Sequence, residues 1–106
     1  MTRFTNEEER AAWTLAESLI ETGRAKMRQA ELALETFTTG LELNRLRCLR
    51  RGIGATDAEI RWSETANARK ALAENSFHVS QAMMYYGAAA ANYARALYLH
   101  SHDAQA

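Results

Sequence analysis

Trp13-x-x-Ala16-x-x-x-Ile20-x-x-Gly23-x-x-x-Met27-x-x-Ala30-x-x-x-Leu34-x-x-Phe37-x-x-x-Leu41-x-x-Asn44-x-x-x-Cys48 is the stretch whose reading decides the fold. Its steps alternate between three and four residues without a slip. That spacing keeps one face of a helix against a partner. A second stripe follows: Leu72, Val79, Met83, Tyr86, Ala90, Tyr93 and Leu97, flanked by Phe77, Met84, Gly87, Ala91, Ala94 and Tyr98. Between the stripes lies Arg51-Gly52-Ile53-Gly54-Ala55. The pattern predicts an all-α fold, a long antiparallel helical hairpin. Two helices enclose too little interior to finish a core, so the hairpin is expected to complete a four-helix or larger bundle by self-association.

Working outward, helix A is expected over about residues 6–51. Thr5 and Glu8 read as a capping box at its start, and Glu7, Glu8 and Glu9 suit the positive end of the helix dipole. Arg47, Arg50 and Arg51 complement the negative end, and Gly52 supplies a stop. The turn takes 52–56. Helix B is expected over about 57–101, opened by a second capping box, Thr56-Asp57-Ala58-Glu59. A tail, 102–106, is expected to fray. Folding about residue 54 pairs position i with 108 minus i. Trp13 then faces the Tyr93 region, and Leu34 faces Leu72 to Asn75. Gly23 and Thr38-Thr39-Gly40 are the weak helix positions where helix A could split, but the unbroken heptad through both favours one helix.

The bulk properties bound the function without naming it. The chain has 106 residues, which fits one domain, and its 13 basic and 13 acidic residues cancel. No overall field points to nucleic acid. The single cysteine, Cys48, forbids an internal disulfide and suits a reducing cytoplasm. The opening residues carry no apolar signal-peptide core. Ala82 to Leu99 is the most apolar run. It contains Asn92 and Arg95 and is rich in alanine, so no membrane span is expected.

The strongest local signal is on helix B. Met83, Met84, Tyr86, Gly87, Ala90, Ala91, Tyr93, Ala94 and Tyr98 make this segment apolar nearly all round. Helix A can cover one side only, so the other side reads as an interface with a second protomer or a protein partner. A second candidate is the arginine collar at the hinge: Arg45, Arg47, Arg50, Arg51 and Arg61. It could hold the phosphates of a nucleic acid or nucleotide. However, Glu42, Asp57, Glu59 and Glu64 stand close in sequence, and Trp62 is the one nearby aromatic, so dipole complement and solvation explain the collar better.

A third candidate is a metal site. Glu31 and Glu35 face Glu74 and His78 in the hairpin pairing, and dinuclear sites in helical bundles draw glutamates and Glu-x-x-His from facing helices. The arrangement resembles short ferritin-like hairpins. Here the spacing is Glu74-x-x-x-His78, and Asn75 occupies a needed carboxylate position, so no metal and no cofactor are expected. His100 and His102 read as solvated, and Cys48 as a small buried hydrophobe. Asn44, polar on the stripe, reads as a device that sets helix register. No motif for nucleophilic, phosphate-loop or metal chemistry occurs, so no catalytic residue is assigned. The chain is expected to be a non-catalytic protein-interaction module; a nucleic-acid or nucleotide binder and a ferritin-like hairpin are the alternatives.

Overall fold

The computed structural model describes residues 6–105. The fold is an all-α helical hairpin of three helices: α1 (Glu7–Arg50), α2 (Ala55–Ser63) and α3 (Ala66–Gln105), with no strand among the described residues. α1 runs unbroken through both suspected weak points. The hydroxyls of Thr36 and Thr38 turn back onto the carbonyls of Leu32 and Glu35, inside the helix.

The caps differ from those expected. Thr5 lies outside the described residues. Asn6 caps α1, its Oδ1 accepting from the Glu9 amide at 2.7 Å. The α1 C-terminus is closed as anticipated at Gly52. Its φ of +76° is a left-handed conformation that glycine adopts without strain. The Gly52 amide donates to Leu49 O and the Ile53 amide to Cys48 O, which satisfies two terminal carbonyls. Thr56 does not cap the next helix. α2 begins two residues earlier than the Thr-x-x-Glu pattern suggests, with extended Gly54 as N-cap and no side-chain cap bond.

Helix B is two helices, broken at Glu64–Thr65. The local cause is competition from hydroxyl side chains. Ser63 Oγ donates to Ile60 O, and Thr65 Oγ1 donates to Trp62 O. The Thr65 amide also bonds Trp62 O, an i−3 bond that tightens the chain. Thr65 Oγ1 then accepts from the Ala68 amide and opens α3. α3 continues to Gln105, four residues past the expected end, through the stretch expected to fray.

The chain divides into two compact units, residues 1–26 with 80–106 and residues 27–79. In the first, the N-terminal part of α1 packs antiparallel on the C-terminal part of α3. Ala12 and Ala16 are buried on α1, and Ala82, Ala89 and Ala96 on α3. Gly23 lies under the Tyr86 ring. Trp13 meets Tyr93 edge to face, with centroids 4.8 Å apart, as the hairpin pairing anticipates.

In the second unit α1 packs against α2 and the start of α3. Ala30, Ala33 and Cys48 are buried on α1, Ala58 on α2, and Ala68 and Ala71 on α3. Trp62 covers Gly40 and meets Phe37 at 5.9 Å. Two asparagines stitch the helices across: Asn44 Nδ2 donates to Ala58 O at 2.6 Å, and Asn75 Nδ2 donates to Ala30 O at 2.7 Å. The polar stripe position Asn44 thus does bind across the pair.

Both units bury small side chains. The buried apolar residues are alanines and Cys48, and no large side chain is fully buried among the described residues. The expected inner stripe of helix B is therefore corrected. Leu72, Met83, Ala90 and Leu97 are exposed, while Ala68, Ala71, Ala82, Ala89 and Ala96 face α1. The reason is distance. Alanines at heptad spacing on both helices let the backbones approach too closely for leucine or methionine between them.

Candidate interaction surface

The close alanine contact displaces the bulky apolar side chains outward. In the first unit α3 carries them on its outer side. Met83 and Met84 are 58% and 74% exposed, and Leu97 and Tyr98 are 63% and 59% exposed. Between these two pairs the strip is made of Gly87, Ala90, Ala91 and Ala94, all exposed. Nothing lies within 4 Å of where a Gly87 methyl would point. From Ser80 to His102 the only Asp, Glu, Lys or Arg is Arg95.

Seven of the nine residues singled out on helix B thus share this outward strip. The other two do not. Tyr86 and Tyr93 are half-buried and turn toward α1, onto Gly23 and Trp13. The sequence grouped them with the strip because the run is apolar on nearly every side. Only the contacts separate the inner face from the outer one.

The collar divides as well. Arg45 is half-buried and held by two carboxylates, Glu59 at 3.3 Å and Glu42 at 3.6 Å. Its guanidinium is turned to its own chain. Arg47, Arg50, Arg51 and Arg61 are exposed on α1, the turn and α2.

Glu31 and Glu35 are exposed, and Glu74 lies 4.0 Å from Lys70 on its own helix. The His78 ring packs against Phe77. No group of three or more His, Cys, Asp or Glu is placed to hold a metal ion among the described residues.

The terminal histidines are exposed, as the solvated reading expects, and each also has a partner within the chain. His100 Nδ1 is 3.0 Å from Oε1 of Glu9, a carboxylate that is only 4% exposed. His102 Nδ1 donates to Tyr98 O at 3.1 Å, with its ring over that of Tyr98. The Glu9–His100 contact spans the two chain-distant ends of the first unit. The heptad spacing Glu9, Ala16, Gly23 places Glu9 on the inner face, which was the available signal.

No helix among the described residues is long and apolar enough to cross a membrane. No family model matches the chain, and no curated protein or solved structure matches it either.

Proposed function

We propose that this chain is a non-catalytic helical protein-interaction module, a small regulator, inhibitor or assembly subunit, which binds another protein and completes its core by associating with a second copy. The observation that carries this reading is the inversion of side-chain size: alanine inside, and Leu72, Phe77, Met83, Met84, Leu97 and Tyr98 outside. Isolated exposed hydrophobics are ordinary on any protein surface. A contiguous strip without charge is not, and such strips mark contacts with other macromolecules.

A reducing compartment such as the cytoplasm suits the lone buried thiol of Cys48.

Light scattering across a concentration series tests the reading. The expected result is a dimer or larger species at low micromolar concentration. A monomer that persists at high micromolar concentration would overturn self-association.

A further inference from the structure

The C-terminal end of α1, in the second unit, carries a surface patch that the helix packing does not use. Leu43, Leu46 and Leu49 are each more than half exposed. Arg47, Arg50 and Arg51 are exposed among them. Steps of three and four residues link all six: Leu43 to Leu46 and Arg47, Leu46 to Leu49 and Arg50, Arg47 to Arg50 and Arg51. Residues so spaced are neighbours on a helix surface, so leucine and arginine interleave on one face.

The charge of this patch is uncompensated. From Leu43 to Thr56 the chain holds Arg45, Arg47, Arg50 and Arg51 and no aspartate or glutamate. Arg45 is paired, with Glu42 and Glu59. Arg47, Arg50 and Arg51 have no carboxylate within ion-pair distance among the described residues. Closing the helix end does not require their side chains either. The amides of Arg51, Gly52 and Ile53 already bond the carbonyls of Cys48 and Leu49. Complementing the helix dipole accounts for arginine at a C-terminus. It does not account for three leucines held in water among the arginines.

We propose that this patch docks on an anionic lipid surface, with the end of α1 lying in the headgroup layer. Charge complementarity and the interleaving together select this occupant. A bilayer interface offers phosphate and hydrocarbon within a side chain's length of each other at every lateral position. Leucine reaches down to the acyl boundary, and the longer arginine bends back up to the phosphates. Nucleic acid matches the charge alone. It has no apolar layer for the leucines, and Trp62, the one indole of this unit, covers Gly40 and meets Phe37 instead of turning out to stack on a base. A protein partner would need carboxylates and apolar pockets alternating at matched points. The contact is peripheral, since no described helix is long and apolar enough to cross a membrane. It uses no residue of the outward strip of α3 and does not depend on self-association.

Co-sedimentation with vesicles tests it. The chain should bind vesicles of phosphatidylserine and phosphatidylcholine in about a 1:2 ratio and should not bind pure phosphatidylcholine. Raising the salt from about 0.1 M to about 1 M should weaken binding, because the Debye length shortens. The triple change Arg47→Gln, Arg50→Gln and Arg51→Gln should lower partitioning about a hundredfold, roughly fivefold for each charge at the surface. Leu46→Asn with Leu49→Asn removes no charge and should lower it about tenfold. All five positions are exposed, and circular dichroism verifies that the variants remain helical. Failure of the wild type to bind the acidic vesicles would overturn the proposal. So would a leucine variant that binds as tightly as wild type, since charge alone would then hold the chain. A short DNA duplex bound through the three arginines, with the acidic vesicles left unbound, would replace lipid by nucleic acid.

Discussion

The Tyr86 ring lies against the backbone of Gly23: a methyl group built on that glycine would stand 2.6 Å from Cε1 and 2.7 Å from Cδ1 of the ring. Contacts that short force the ring or the helix to shift. Gly23 is therefore kept for the space it leaves, at a helical position where alanine has the better propensity.

The two effects can be set against each other. Gly23→Ala gains up to about 1 kcal/mol of helix propensity and loses about 1–3 kcal/mol to overpacking. A net loss near 1 kcal/mol is expected. Gly87→Ala meets nothing within 4 Å, so only the propensity gain of about 0.5–1 kcal/mol should remain. Urea unfolding at one fixed protein concentration, since association would shift the midpoint, should move the two variants in opposite directions.

Alanine at neighbouring positions of α3 provides a second contrast. Ala89 is fully buried and Ala91 is exposed. Ala89→Leu inserts bulk into the close helix contact and should cost about 1–3 kcal/mol or more. Ala91→Leu should leave chain stability within about 0.5 kcal/mol. Its effect should appear in light scattering, as a lower mass where the outward strip holds a second protomer. Equal thermal destabilisation by both changes would refute the assignment of inner and outer faces.

The asparagine bonds predict an order among substitutions. Asn75→Ala removes the donor to Ala30 O and should cost about 1 kcal/mol. Asn75→Asp retains the shape but turns a carboxylate toward that carbonyl, so it should cost more than alanine at neutral pH and less than alanine in acid, where the protonated carboxyl group can donate again. Asn44, which donates to Ala58 O, should follow the same order. Denaturation at neutral and acidic pH checks both.

The break between α2 and α3 gives a fourth test. Thr65→Ala deletes the cap on Ala68 and should cost about 1 kcal/mol. Thr56→Ala, at the position that looks like a cap and is not one, should be neutral or slightly stabilising. Hydrogen exchange should localise the Thr65 effect to the first turn of α3.

α1 was legible at Ala16, Gly23, Ala30 and Cys48, which are buried on the expected face, but not at Leu34, which is exposed while Ala33 beside it is buried. The pairing of Trp13 with Tyr93 followed from the position of the turn. α3 was harder to read. Hydrophobic periodicity weights Leu72, Met83 and Leu97 above alanine, whereas a close helix contact selects for smallness. Alanine is also the best helix former, so its role in Ala82, Ala89 and Ala96 is hidden in a segment with alanine on every side. The break at Glu64–Thr65 arises from hydroxyl bonds that no apolar pattern registers. Seven of the nine residues first grouped on helix B share the outer strip; the remaining two needed the ring contacts with Gly23 and Trp13 to be sorted inward.

An alanine seam has a mechanical consequence of its own. Ala68, Ala82, Ala89 and Ala96 are separated by multiples of seven residues, and so are Ala16 and Ala30 opposite. Sliding one helix along the other by a full heptad would return methyl groups to methyl groups, so the seam alone is a track with several equivalent stops. What selects one stop are the short turn at Gly52 and the contacts that do not repeat: a ring seated in the notch at Gly23, an indole over Gly40, an amide reaching Ala30, and a histidine on Glu9. These act as detents. Removing these side-chain contacts together should leave the turn alone to hold the register, because a slip by one heptad would have to unwind about seven residues beside it.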